Sequence, residues 1–165
     1  MDTTTTNKTS KSDKPKKRAV RKGTGKTTLK KFSPTWVVKH SKDAPGYSLK
    51  LIGKIRTGVR KDEWKQLINS IGSTEKELEF ILPASISSMQ KKEKYNKETS
   101  ERIYELAKLY GIGYEVFDTK EDFKKWLMTP SKALGNKMPF ELLDSSFGFE
   151  MVENEIVRIQ YNVYS

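Results

Sequence analysis

From Tyr47 onward the apolar residues recur every three or four positions, and that spacing commits the chain to helices packed through one face. Leu49, Ile52 and Ile55 line a first short helix that stops near Gly58. Trp64, Leu67, Ile68 and Ile71 follow the i, i+3, i+4, i+7 rule, with Asp62 as the expected N-cap and Gly72 as the stop. Thr74-Glu75-Lys76-Glu77 is a capping-box pattern ahead of Leu78, Ile81 and Leu82, and Pro83 ends that helix. Ala84 to Lys92 reads as another short helix with Ile86 and Met89 inward. A longer helix starts near Thr99 and presents Ile103, Leu106, Ala107, Tyr110, Tyr114 and Phe117. Gly111 and Gly113, each costing about 1 kcal/mol relative to Ala, predict a kink or break in it. Thr119 to Asp122 caps the next helix, with Phe123, Trp126 and Leu127 inward and Pro130 after its end. Pro139 suits the first turn of a short helix carrying Phe140, Leu142 and Leu143. The last helix, about Phe149 to Gln160, presents Val152, Ile156 and Ile159; its acids come early and Arg158 late, as the helix dipole favours. No segment reads as a strand. The expected fold is all-α.

Ahead of these helices stands a different kind of chain. Residues 1–46 are rich in Thr, Ser and Lys and hold 13 Lys/Arg against Asp2, Asp13 and Asp43, a net charge of +10. With so little to bury, such a segment does not repay its ordering entropy of roughly 1–2 kcal/mol per residue, so a disordered basic tail is expected over 1–46. Residues 47–95 carry a net +4 and residues 96–165 a net −3. A gradient of that sign points to a front that meets polyanions, nucleic acid first among them, and a back half with another task. The 165 residues suffice for one ordinary domain or two small ones plus a tail.

Several functions are excluded early. The chain has no Cys, which removes disulfides and thiolate metal sites, and its one His, His40, gives no basis for a histidine-built centre. No apolar run approaches the roughly 20 residues of a membrane span, and the start lacks a signal-peptide core. A soluble, cytoplasmic protein with no membrane role is expected. Gly23 to Thr28, GTGKTT, falls short of a phosphate-binding loop, because Val20 occupies the place of the first glycine. No pair of carboxylates is flanked by a second base or a nucleophile pattern. The chain is therefore expected to be no enzyme and to need no cofactor or metal.

Binding residues stand out more clearly. The run KPKKRAVRK, Lys14 to Lys22, suits nonspecific contact with DNA phosphates. The short helices over 47–95 suggest a helix-turn-helix unit whose second helix, Ala84 to Lys92, enters the major groove. Ser85, Ser87, Ser88 and Gln90 would then face base edges, while Lys91, Lys92 and Lys94 sit against phosphates. Phe123, Trp126, Phe140 and Phe147 read as core. Val152, Ile156 and Ile159 are too many for so small a bundle to cover, so part of the last helix is expected to be an interface. Tyr161 and Tyr164 supply aromatic anchors of the kind found at hot spots.

The C-terminal stretch has an ordered set of landmarks. They run from TSERIYELAKLY (Thr99 to Tyr110) through Val116-Phe117, Trp126-Leu127, Pro130, Ala133-Leu134-Gly135, Pro139, Leu142-Leu143 and Gly148. Val152, Arg158-Ile159, Tyr161 and the closing Val163-Tyr164-Ser165 complete the set. On these residues the chain from about Gly58 to Ser165 resembles the antitoxins of RES-domain toxin systems, the Xre/MbcA/ParS type. The resemblance implies an Xre-like DNA-binding half over 47–95 that represses its own operon, and a toxin-binding half over 96–165. In this numbering the implied toxin contacts are Val152, Glu155, Ile156, Arg158, Ile159, Tyr161, Asn162, Val163, Tyr164 and Ser165, with the C-terminal end blocking the toxin's active site. The implied partners are a RES-domain toxin that degrades NAD or transfers ADP-ribose, operator DNA, and a second copy of the chain or a larger complex with toxin. The chain departs from the family at Asn136 and Asn162, where Gly is usual; Asn tolerates left-handed backbone, so both turns are expected to survive. The alternatives are a stand-alone helix-turn-helix regulator without a toxin partner, and a helical adaptor whose tail binds RNA or membrane.

Overall fold

The structure is a computed structural model and describes residues 47–161. The basic tail over 1–46, with its KPKKRAVRK run, and the closing Asn162, Val163, Tyr164 and Ser165 lie outside the described residues. Among those described there are seven α-helices and no named strand. They are α1 (Tyr47–Thr57), α2 (Lys61–Ile71), α3 (Glu75–Leu78), α4 (Ile86–Gln90), α5 (Lys97–Val116), α6 (Lys120–Leu127) and α7 (Ser146–Gln160). Single 3-10 turns cover Glu79–Ile81, Lys132–Leu134 and Pro139–Leu142. The protein is mostly helical, as the apolar spacing demands.

Helix α5 is the axis around which the rest is laid, with α1, α2, α6 and α7 all packed against it. Its start is set by Asn96, whose side-chain oxygen accepts from the Thr99 N–H at 3.1 Å. Contrary to the expected break, it runs unbroken through Gly111 and Gly113 to Val116. The reason lies across the interface: a Cβ on Gly113 would sit 2.4 Å from the Phe123 ring. The glycine is a seat for that ring, which also meets Tyr110 edge-on at 5.2 Å, Phe117 at 5.3 Å and Trp126 at 6.1 Å. Phe123 is fully buried as the hub of this aromatic group.

The front of the chain is tied to the start of α5 by backbone. Gly58, at φ 90, turns the chain out of α1 so closely over Tyr95 that a Cβ would meet its carbonyl oxygen at 2.4 Å. The Tyr95 N–H then donates to Val59 O and the Lys61 N–H to Glu93 O, both at 2.9 Å, in a short antiparallel bridge. The buried Ser100 hydroxyl accepts from the Val59 N–H at 2.9 Å and donates to Tyr95 O. Asp62 is not the cap of α2. Glu63, one residue on, reaches back instead to accept from the Arg60 N–H at 2.8 Å and pairs with Lys54 of α1. Gly72 ends α2 at φ 63, as expected. The carbonyls at this end of α2 are capped by α6, where Lys120 donates to Ser70 O at 2.6 Å and Lys124 to Gly72 O at 3.2 Å. Burial pulls the Lys120 ammonium below its ordinary pKa, with Glu121 opposing the shift.

The buried apolar residues, from Val59 and Trp64 through Leu106 to Phe149 and Ile156, form one continuous cluster. It runs across positions 95 and 96 without a gap. Helix α1 forms, but the burial expected of its apolar side fails: Leu49 is 74 % and Ile52 42 % exposed.

Candidate partner-binding surfaces

Helix α7 is positioned by a stiff approach. Ser131 and Lys137 pair across a tight turn in which Gly135 stands at φ 68 and Asn136 at φ 60, so Asn136 holds the left-handed geometry that it was expected to tolerate. Pro139 then opens a single 3-10 turn, where the Glu141 carboxylate accepts from the Met138 N–H at 3.1 Å. Ser145 caps α7 by accepting from the Gly148 N–H at 3.1 Å. Gly148 passes the preceding turn so closely that a Cβ would fall 1.7 Å from Leu142 O. No other residue fits there.

Once placed, α7 turns one side into the molecule. Phe149, Val152 and Ile156 are buried against α5, with Arg102 lying over the Phe149 ring at 5.3 Å. Lys108 of α5 pairs with Glu153 at 2.5 Å and fixes the two helices lengthwise. This corrects two expected toxin contacts: Val152 and Ile156 are core residues of this chain and have no surface to offer. The bundle covers them because α5 is one long unbroken helix and gives them a full-length partner. Ile159 is half-buried, and the Glu155 side chain is largely covered and paired with Arg158 at 3.4 Å. Arg158 and Tyr161 are open, Tyr161 at 71 % exposure. Two apolar residues that the sequence reading did not offer as contacts share the open side. Val157, at 41 % exposure, lies about 100° round the helix from Ile156, a phase legible from the buried pair. Phe147 was assigned to the core and is 72 % exposed; two positions from Phe149 it stands about 160° away round the helix, a phase missed because the expected helix starts only at Phe149.

The second surface surrounds α4. The helix spans five residues, shorter than the expected Ala84 to Lys92, because Pro83 precedes it and Ser85 caps it by accepting from the Ser88 N–H. Ser85 also shares a hydrogen bond with Ser87 at 3.2 Å. Gln90 donates to Glu75 at 3.2 Å, and its carbonyl accepts from the Lys61 ammonium at 2.7 Å. Lys91, Lys92 and Lys94 follow, all exposed. The antiparallel bridge sets Arg60 opposite Lys94 and so brings Arg60 and Lys61 into the same basic surface. Beneath it, burial, then Glu75 and Glu93, push the Tyr95 phenol up to about 12.

No group of three or more potential metal ligands occurs among the described residues, and no helix there is long and apolar enough to cross a membrane.

Comparison with known proteins bears on the stretch that contains α7. Residues 113–161, which run from the end of α5 through α7, match the antitoxin Xre/MbcA/ParS C-terminal toxin-binding domain. Over 127 residues the chain is 30 % identical to the Prs ADP-ribosylating antitoxin of Sphingobium sp. (strain YBL2), a match covering 69 % of this chain and 80 % of that relative. With that identity sustained over four fifths of the relative, and the toxin-binding domain matched around α7, this chain belongs to the Xre/MbcA/ParS-type antitoxins.

Proposed function

We propose that this chain neutralises a RES-domain toxin that degrades NAD or transfers ADP-ribose, by setting the far end of α7 and the residues that follow it into the toxin's active site. The observation that carries this reading is the open end of α7. Arg158 and Tyr161 face outward within the stretch that matches a toxin-binding domain, and the chain continues from them into Asn162, Val163, Tyr164 and Ser165. An aromatic ring left 71 % exposed at the end of a well-packed helix is the kind of group that becomes an interface anchor. The name of the Sphingobium relative contains the words ADP-ribosylating, which supports the NAD-dependent class of toxin, since ADP-ribose is drawn from NAD. The chain itself performs no catalysis in this reading and works in the cytoplasm, as a homodimer or a larger complex with toxin. Removing Tyr161 to Ser165 is expected to abolish protection in co-expression with the toxin while leaving helix content unchanged. Full protection by the shortened protein would remove the mechanism.

A second reading concerns DNA, favoured by the basic surface around α4. We infer that residues 47–95 bind operator DNA and repress the operon, and that 96–165 carry the toxin contact, two functions on one continuous core. Lys91, Lys92 and Lys94 would meet phosphates; Ser85, Ser87, Ser88 and Gln90 would stand nearest the bases. Gln90 and Ser85 already have partners within the chain, so base readout requires those bonds to be exchanged, whereas the lysines need no rearrangement.

A further inference from the structure

The outward side of α7 carries a large exposed aromatic at each end, and the toxin contact argued above uses only one of them. Phe147 is 72 % exposed and Tyr161 is 71 % exposed. They stand fourteen positions apart. At 3.6 residues per turn the two fall within about 40° of each other around the axis, and at 1.5 Å per residue about 21 Å apart along it. Asn154 and Arg158 lie between them on the same side, both exposed. The opposite side, with Phe149, Val152 and Ile156, is sealed into the core.

Phe147 has no evident task in the fold. The start of α7 is completed without it, by the Ser145 hydroxyl on the Gly148 N–H and by the close passage of Gly148 over Leu142. Its phenyl ring is left in water on the same line that leads to Tyr161. The size of a working interface bears on this. A stable, specific contact buries about 800 Å² on each partner and involves some 20–30 residues a side, far more than a short closing segment supplies.

We propose that the toxin lies along the whole outward side of α7 and grips Phe147 in an apolar pocket about 20 Å from the cleft that takes the C-terminal end. The proposal rests on the antitoxin reading above and extends it: neutralisation becomes a two-point grip, a plug at one end and an anchor at the other. Continuity supports the toxin as occupant, since Phe147 and Tyr161 both fall within the residues that match a toxin-binding domain. Aromatic anchors set in partner pockets are also where binding energy concentrates.

The test is calorimetric titration of the full chain into a purified RES-domain toxin. Phe147→Ala is expected to weaken binding by about 30-fold, the loss that marks a hot spot. Phe147→Leu should recover most of that loss, and Gln160→Ala, on another side of α7, should stay within about twofold. Because Phe147 is exposed, helix content and melting temperature should not move. If Tyr161→Ala weakens binding and Phe147→Ala does not, the anchor is overturned and the plug survives. If the unsubstituted chain does not bind, the RES-toxin reading itself falls, and the anchor with it. If Phe147→Ala dissolves a dimer in light scattering and leaves toxin affinity intact, the face belongs to a second copy and the proposal is wrong.

Discussion

Gly111 and Gly113 stand two positions apart in α5, yet a methyl group added at each would meet different surroundings. At Gly111 nothing lies within 4 Å, so Gly111→Ala is expected to stabilise the fold by about 0.5–1 kcal/mol through helix propensity and a less free unfolded chain. At Gly113 the methyl would press into the Phe123 ring, and Gly113→Ala is expected to cost about 1–3 kcal/mol as the aromatic group shifts. Urea unfolding of the two variants checks this, and changes of the same sign would contradict the packing described for Phe123. From sequence alone the two glycines look equally disruptive, because propensity tables record the residue and not what stands opposite it. The same blindness explains Asp62. Its place before the apolar stripe suits a cap, but the N-cap is Arg60, whose N–H donates to Glu63 in the first turn; the same carboxylate also holds Lys54, and only the arrival of α1 reveals that double use.

At the scale of elements, period was informative and phase was not. The three-to-four spacing located α2, α5, α6 and α7, and the capping patterns at Thr74 and Thr119 stand where the sequence puts them. Spacing tells which residues share a side of a helix; it does not tell whether that side meets the same molecule. Leu49 and Ile52 share a side that stays open, while Val152 and Ile156 share one that α5 closes. Val152 and Ile156 were thus legible as part of a helix and misread as part of its open face. Helix α4 shows the opposite case, an element shorter than its pattern, because a proline and a serine cap fix its start and Lys91 ends it. Its brevity leaves the lysines beyond it exposed, and the proposed DNA contact falls on them. Lys91→Ala and Lys92→Ala are each expected to weaken operator binding alike on matched and mismatched sequences and to flatten the salt dependence by about one unit. Gel-shift titrations across a salt series measure both slopes, and a double variant with the slope of the parent protein would take the DNA surface away from this loop.

Over the whole molecule, the burial of Tyr95 beside Glu75 and Glu93 is expected to make the fold sensitive to alkali. The Tyr95 phenol, raised from 10.0 to about 12, holds its proton more tightly in the folded than in the unfolded chain. Its contribution is therefore whole below pH 10 and is lost as pH climbs through about 12. Tyr110 and Tyr114 are raised as well, chiefly by burial, and add to the same loss. Tyr95→Phe is expected to make the alkaline fall in stability shallower while leaving neutral pH behaviour in place. Melting curves between pH 8 and about 12 decide the matter, and identical slopes would show that the phenol carries no such linkage. The continuous packing from Trp64 to Ile156 carries a further consequence for anyone dividing this protein. A cut or a fusion joint in the loop before Asn96 would not yield a DNA reader and a toxin trap. Each fragment would be left with a raw wall of leucine and isoleucine where its other half had been, so the two proposed trades can be separated by editing surfaces but not with scissors.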